Sequence, residues 1–382
     1  MSGRITAKMS QDLVRRGVSR RDFGRIAAFL AAGVLSREAA EAQGLSARMD
    51  IPKDAVRLNS NENPMGPCPE AIEAVCKIAA QGGRYLYDRT FELVAQTAEM
   101  EGLPRNHVAV FAGSSDPLHR TVLAFTGPEH PLVMADPGYE AAEKAARVVK
   151  ARTVRVPLRP DGSHDVAAMV EAAKGGGLIY LCNPNNPSGS ITRPDDVAWL
   201  VANRPAGCVV LVDEAYLHYA TTAQSAVPLV AKGDDVVVIR TFSKLYGMAG
   251  LRAGAAMARP DLLTRMQSFG AGALPVTGVA AAIASLGVSD RIVPERKAVV
   301  DRIREDTRAW LHDQGCPTMP SEANMLMIDV GRPGGQFSVG MMRNKVAIGR
   351  TWPSCPNHVR VTIGTEDEMA RFREAFAKVL RA

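Results

Sequence analysis

A lysine just beyond an apolar strand, with a serine beside it and an arginine eight residues on, is the arrangement in this chain that most directly implies chemistry. Val236-Val237-Val238-Ile239 is a β-branched run long enough to cross a sheet and too apolar to face water. Arg240-Thr241-Phe242-Ser243-Lys244 then forms a polar turn, and Gly247, Gly250, Arg252 and Gly254 punctuate the loop that follows. In open α/β sheets, ligands bind outside the carboxyl ends of the strands. There a lysine amine can join an aldehyde as a Schiff base, while serine and arginine hold a phosphate. Pyridoxal phosphate (PLP) carries both groups. An exposed loop lysine fits the same stretch equally well, so the choice rests on the rest of the chain.

Two further strand ends carry matching groups. Leu178 to Cys182 leads into Asn183-Pro184-Asn185-Asn186-Pro187-Ser188-Gly189, and Cys208 to Val212 leads into Asp213-Glu214-Ala215-Tyr216. A pyridine nitrogen that acts as an electron sink must stay protonated, and Asp213 would hold that proton by close opposite charge. Asn186 and Tyr216 can donate to the cofactor's phenolate oxygen. Lys244 would form the Schiff base, give way to the incoming amine, and then move the proton between substrate and cofactor carbons. That task requires a neutral amine, which partial burial and the nearby Arg252 favour. Gly113-Ser114-Ser115 opens a helix after Val108-Ala109-Val110-Phe111 and offers backbone N–H groups and two hydroxyls to an anion, or a plain helix cap. Singly, Asp213 also reads as a helix cap, Asn186-Pro187 as an ordinary turn and Tyr216 as core packing. Together, at the ends of successive strands, they favour the PLP reading.

The elements that must position these groups alternate. Strand-like runs occur at Pro131 to Ala135, Val154 to Val156, Leu178 to Cys182, Cys208 to Val212, Val236 to Ile239 and Ala253 to Met257. Helical patterns intervene at 140–151, 165–174 and 194–201, and several strands are apolar without alternation, as parallel strands covered on both faces are. This implies an α/β fold: a doubly wound, mostly parallel sheet in a large PLP-binding domain over residues 67–270. Helices expected at 277–288, 290–314 and 365–380, with strands at 324–330, 346–348 and 359–363, imply a smaller α+β C-terminal domain over 271–382. Residues 43–66 include an irregular Asn- and Pro-rich arm, expected to join the small domain. Helices are expected at 69–80, 90–101 and 117–125, with an exposed aromatic loop at Arg84-Tyr85-Leu86-Tyr87-Asp88. No strand is followed by Gly-x-Gly-x-x-Gly, so a nicotinamide dinucleotide site has no support.

The 382-residue chain is 46% apolar and 23% charged, ordinary for a globular enzyme. Its +6 charge is uneven, since residues 1–42 hold eight Lys/Arg against four Asp/Glu. No basic patch with interleaved aromatics points to nucleic acid. Six cysteines lack metal-ligand spacing, so no metal is expected; Cys68 and Cys76 could pair in an oxidising compartment. Residues 1–42 carry Ser19-Arg20-Arg21-Asp22-Phe23, an apolar run from Ile26 to Leu35, and Ala40-Glu41-Ala42. That order reads as a twin-arginine export leader with an Ala-x-Ala cleavage site, which implies a periplasmic or extracytoplasmic location, or a cytoplasmic one if the leader is not used. The apolar run falls well short of the roughly twenty residues a membrane span needs, so stable membrane insertion of the mature chain is not expected.

Collected, the motifs resemble those of fold-type-I PLP-dependent aminotransferases, and within them the histidinol-phosphate aminotransferase-like group (class I/II). The resemblance rests on Asn185-Asn186-Pro187-Ser188-Gly189, Asp213-Glu214-Ala215-Tyr216, Thr241-Phe242-Ser243-Lys244, Gly250-Leu251-Arg252-Ala253-Gly254 and Val359-Arg360-Val361-Thr362-Ile363-Gly364. The arm Leu58-Asn59-Ser60-Asn61-Glu62-Asn63-Pro64 and Asp136-Pro137-Gly138-Tyr139 add to it, and about residues 55–380 are covered. The resemblance implies catalytic roles for Lys244, Asp213 and Tyr216, with Asn186 and Tyr216 at the cofactor's O3′ and Tyr139 stacked on its ring. It implies phosphate contacts from Ser114, Ser115, Ser243 and Arg252, with Tyr85 reaching across from the second subunit of a homodimer that shares its active sites. Arg360 would clamp the substrate's acidic group, beside Asn186. Arg350 lies near where histidinol-phosphate enzymes place a second phosphate-binding arginine. Two departures stand out. The family's usual Gly-Ala-Asp/Asn-Glu turn is Gly113-Ser114-Ser115-Asp116 here, and Trp352 near Arg350 suits an apolar or aromatic side chain. The expected reaction is therefore transamination between an α-amino acid and a 2-oxo acid. A PLP lyase or decarboxylase on the same scaffold, and histidinol-phosphate transamination, are the alternatives. PLP binding without turnover is disfavoured by the nucleophilic lysine.

Overall fold

The computed structural model describes residues 51–270 and 272–382. The leader reading of residues 1–42 lies outside the described residues.

The strands are β1 (Val56–Leu58), β2 (Val108–Phe111), β3 (Leu132–Asp136), β4 (Thr153–Pro157), β5 (Gly177–Cys182), β6 (Cys208–Asp213), β7 (Val236–Thr241), β8 (Gly254–Met257), β9 (Met325–Asp329), β10 (Val346–Ile348) and β11 (His358–Thr362). The helices are α1 (Pro69–Ala79), α2 (Tyr87–Glu101), α3 (Ser115–Phe125), α4 (Ala141–Val148), α5 (Val166–Ala172), α6 (Pro194–Asn203), α7 (Val227–Ala231) and α8 (Pro260–Gln267), followed by α9 (Val276–Leu286), α10 (Ser289–Asp313), α11 (Gly334–Arg343) and α12 (Glu366–Leu380). Seven strands form one sheet in the order β2-β8-β7-β6-β5-β3-β4. Only β8 runs against its neighbours; the pairings among β3 to β7 are parallel. This is the mostly parallel α/β sheet of the type I fold.

The apolar runs without alternation have a direct cause. Leu178, Tyr180 and Cys182 of β5 enter one core with Leu118 and Val122 of α3, while Ile179 and Leu181 enter another with Val197 and Leu200 of α6. Successive side chains point to opposite faces, and helices cover both, so every position is apolar. Each buried aliphatic contributes about 1.5–3 kcal/mol relative to exposure. The polar groups are thereby pushed to the strand ends, where Asp213 closes β6 and Lys244 lies three residues past β7.

Two small sheets complete the fold. β9 pairs antiparallel with β11, and β1 pairs parallel with β10. α12 starts with a reciprocal cap: Thr365 accepts from the Glu368 backbone, and Glu368 returns the bond. Four short elements escape the sequence pattern. The arm expected to be irregular contains β1, a three-residue strand that exists only through β10. α11 opens on Gly334-Gly335, poor helix formers, while α7 and α8 are only five and eight residues long. α2 begins at Tyr87, inside the segment expected as a loop. All six cysteines are free thiols, and Cys68 is buried while Cys76 is exposed. Among the described residues, no single helix is long and apolar enough to cross a membrane.

Candidate active site

The carboxyl ends of β5, β6 and β7 bring the three sequence motifs to one edge of the large sheet. Asp213 is 3% exposed. Its Oδ1 accepts from the Ala215 backbone at 3.1 Å and its Oδ2 from the Tyr180 hydroxyl at 3.0 Å. Burial pushes its pKa up to about 6, against the pull of those two donors and of the nearby Lys244. Lys244 Nζ donates to the backbone oxygens of Asn61 at 3.0 Å and Ser60 at 3.3 Å, and lies 5.7 Å from the centre of the Tyr216 ring. Tyr216 is buried, and burial raises its phenol so that it stays protonated. Its hydroxyl accepts from Asn61 Nδ2 at 3.0 Å and Asn186 Nδ2 at 3.3 Å, which leaves its own proton to donate.

A second cluster lies at the amino end of α3. Arg252 Nη1 donates to Ser243 Oγ at 3.4 Å and Nη2 to the Ala112 backbone at 2.9 Å. Its backbone is left-handed, with φ +59°. Gly113, at φ +84°, has no Cβ where the Arg252 guanidinium lies; any side chain there would collide with it. Ser114 is the cap residue of the helix and Ser115 its first residue, and no side-chain cap hydrogen bond is made there, which leaves the first N–H groups available to an anion. Tyr139 lies near Ser115 and Asp213, and burial raises its phenol.

Opposite stands Arg360, buried in β11. Its Nη1 donates to Asn186 Oδ1 at 2.8 Å and its Nη2 to the Asn59 backbone at 2.6 Å, while Nε is buried without a partner. Burial lowers its pKa to about 10, which still keeps it charged near neutrality. Trp352 is buried beneath it, with Nε1 donating to Gly138 O at 3.1 Å. The Arg360 and Arg350 guanidiniums lie 5.6 and 4.7 Å from the Trp352 ring centre, and Arg350 is ion-paired with Glu140.

The structure thus brings together Lys244, Asp213, Tyr216, Asn186, Arg360, Tyr139, Ser115, Ser243 and Arg252 by direct contacts or close charges. Ser114 is placed at the α3 cap. Tyr85 is different: it is 70% exposed and stacks on Tyr87 at 5.6 Å, away from these groups. Two residues with no assigned role emerge. Asn61, at φ +52° and 1% exposed, bonds Tyr216 and Thr362 through its side chain. Tyr180 bonds Asp213. An asparagine-rich arm and a lone tyrosine in an aliphatic strand were the only signals available.

The residue set fits PLP on its own terms: a buried carboxylate for a ring nitrogen, a lysine amine for an aldehyde, and hydroxyls, a guanidinium and helix N–H groups for a phosphate. Gly113 makes room for the Arg252 guanidinium at the phosphate end. The model of aminotransferase class I and II matches residues 53–376. The chain belongs to this family. This aminotransferase is 34% identical over 336 residues to histidinol-phosphate aminotransferase 1 of Nitrosococcus oceani, covering 86% of this chain and 90% of that one. It is equally 34% identical, over 341 residues, to an aromatic amino acid aminotransferase of Cutibacterium acnes, covering 86% and 94%. Among solved structures, histidinol-phosphate aminotransferase from Sinorhizobium meliloti in complex with pyridoxal 5′-phosphate superposes with a TM-score of 0.79 at 25% identity, covering 91% of this chain and 95% of that one. The chain is a PLP-dependent aminotransferase.

Proposed function

We propose that this aminotransferase exchanges amino groups between an α-amino acid and a 2-oxo acid, with Arg360 as the carboxylate clamp. The observation that carries this is the Arg360 guanidinium itself: buried, charged, oriented by Asn186 and Asn59, and with Nε left over. A planar fork held this way suits a carboxylate bidentately. Bound PLP supplies the aldehyde that takes the amine and the electron sink for the charge left when the Cα–H bond breaks. The protein does the rest. Asp213 would hold the proton of the pyridine nitrogen, Asn186 and Tyr216 would donate to O3′, and Tyr139 would lie against the ring. Ser114, Ser115, Ser243 and Arg252 would hold the phosphate. Lys244 would hold the aldehyde of a bound cofactor, and its amine is the group placed to take and return a proton. Its perch on the Asn61 and Ser60 carbonyls gives the released amine a fixed position.

Histidinol phosphate is the second reading, favoured by relatives of that name. Against it stands the Glu140 carboxylate on Arg350, which neutralises the arginine a distal phosphate would need. Trp352, buried beneath both guanidiniums, braces them rather than meeting a substrate side chain. A lyase or decarboxylase would share the scaffold, but a carboxylate gripped by Arg360 favours Cα–H cleavage over loss of CO₂.

The organisation that goes with this reading has an arm at 43–66, a cofactor domain at 67–270 and a small domain at 271–382. The large sheet draws on residues 108–257 and both small sheets require residues beyond 324, which supports the division. Tyr85 would meet a cofactor phosphate only in a homodimer with shared sites; its exposure supports this, and a fully active monomer in solution would refute it. Twin-arginine export of residues 1–42 completes the proposal, tested by locating the tagged chain in periplasmic and cytoplasmic fractions.

The deciding experiment adds single amino acids to the purified protein without an acceptor. Stoichiometric loss of the cofactor's visible band, with release of the matching 2-oxo acid, is expected. Ammonia accumulating with the band intact would establish the lyase instead.

A further inference from the structure

We propose that Tyr180 is a positioning residue for the reaction, its phenol fixing the orientation and the ionisation of Asp213 and thereby the pyridine ring that Asp213 holds. This rests on the PLP reading of the site.

Tyr180 lies in the middle of β5 and is 2% exposed. Its neighbours along the strand, Leu178, Ile179, Leu181 and Cys182, are apolar or weakly polar, so a hydroxyl there needs a partner of its own. The sheet register pairs Cys182 with Asp213 and Tyr180 with Leu211, which puts Tyr180 one diagonal step from Asp213 on the same face. From there its hydroxyl reaches Asp213 Oδ2 at 3.0 Å. Oδ1 is held separately by the Ala215 N–H at 3.1 Å. The two donors come from different elements and fix the carboxylate plane, while each oxygen keeps a lone pair for a ring nitrogen.

The phenol is also a permanent donor, because burial pushes its pKa well above the usual value. A neutral donor to the charged form stabilises a carboxylate that burial would otherwise protonate. The other groups facing Asp213 are few. Lys244, past β7, favours the ionised form; Glu214, next in sequence, opposes it. The Cys182 thiol on β5 and the Tyr139 phenol after β3 are held protonated by burial. Tyr180 is the group among them that combines a direct hydrogen bond with a rigid strand.

The test measures PLP affinity of the full chain, freed of cofactor, from pH 5 to 8.5, for wild type and Tyr180→Phe. PLP with a protonated ring nitrogen binds ionised Asp213, so affinity falls on the acid side as Asp213 takes a proton. Without the hydroxyl, that fall should move about one pH unit higher, giving roughly three- to tenfold weaker binding near pH 6 and near-wild-type binding at pH 8.5. In the Asp213→Asn background, Tyr180→Phe should have no further effect on the acid limb. An unshifted limb, or a uniform loss at every pH, would overturn the proposal, the latter assigning Tyr180 to packing alone. Should Tyr180→Phe fold poorly, Tyr180→Gln retains a donor and Tyr180→Leu does not; only the Leu variant should shift the limb, and equal limbs would overturn the proposal. Absence of PLP binding in the wild type would instead refute the cofactor reading.

Discussion

The two walls of the active site are built differently. The cofactor wall stands on the ends of β5, β6 and β7, strands whose residues are almost all fully buried and whose polar groups follow their strands within a few positions. The substrate wall is assembled from distant pieces. Asn59 and Asn61 of the arm, Trp352, and Arg360 of β11 reach one another across separations as large as 301 residues. The first wall takes its geometry from the packed sheet beneath it. The second takes it from hydrogen bonds between loops and two-stranded ribbons, so each of its members depends on the others. Damage to the first should therefore remove the cofactor, and damage to the second should alter substrate use with the cofactor in place.

The sharpest test is Lys244→Ala, which should abolish the cofactor's visible band and lower turnover by at least about 10³-fold. Normal turnover in that variant would end the assignment. Asp213→Asn comes next, with kcat down about 10²-fold or more and PLP bound more weakly, since the ring nitrogen loses its charged partner. On the other wall, Arg360→Lys should reduce kcat/KM for α-amino acids about 10²-fold, in line with the 2–5 kcal/mol typical of truncating a buried charge partner. Its visible spectrum should match wild type; a lost band would show that the walls are not separable. Asn61→Ala removes the hydrogen bond to Tyr216 and should cost about 1 kcal/mol, or roughly fivefold in kcat/KM. Because Asn61 touches both walls, a small spectral shift in this variant alone would mark it as the joint between them.

A gentler probe uses pH. Asp213 titrates near 6 in the cofactor-free fold, above its ordinary 3.8. Its protonated form thus favours the fold fully below 3.8, and that advantage is lost as pH rises through about 6. A cation placed beside the ionised carboxylate offsets the loss. PLP should accordingly raise the melting temperature more at pH 8 than at pH 5, and equal increments would detach Asp213 from the cofactor.

The same contrast explains what the sequence made legible. Lys244, Asp213 and Asn186 could be read because each follows an apolar run that announces its strand, and a strand end is a known place for a ligand. β2 and β10 were found at their observed limits for the same reason. Asn61 carried no such marker: its partners Tyr216 and Thr362 lie 155 and 301 residues away, and no local pattern encodes them. β1 was hidden because three residues among asparagines become a strand only when β10 lies alongside. Tyr180 looked like core, and by burial it is core; its hydroxyl is the exception. The Glu140–Arg350 pair joins two loops whose meeting no periodicity foretells.

The span between Asn61 and Thr362 also sets an order of events at the ribosome. Synthesis runs from the amino end, so the arm emerges early and its partners in β10 and β11 emerge nearly last. By then β2 to β8 have all been made, and the large sheet can close over its own cores. A nascent chain can therefore own a phosphate cradle and a lysine before it owns a grip on any substrate. The arm's strand and its Asn61 contacts wait on β10 and β11, so the side of the site that grips substrate is the last whose parts are all present.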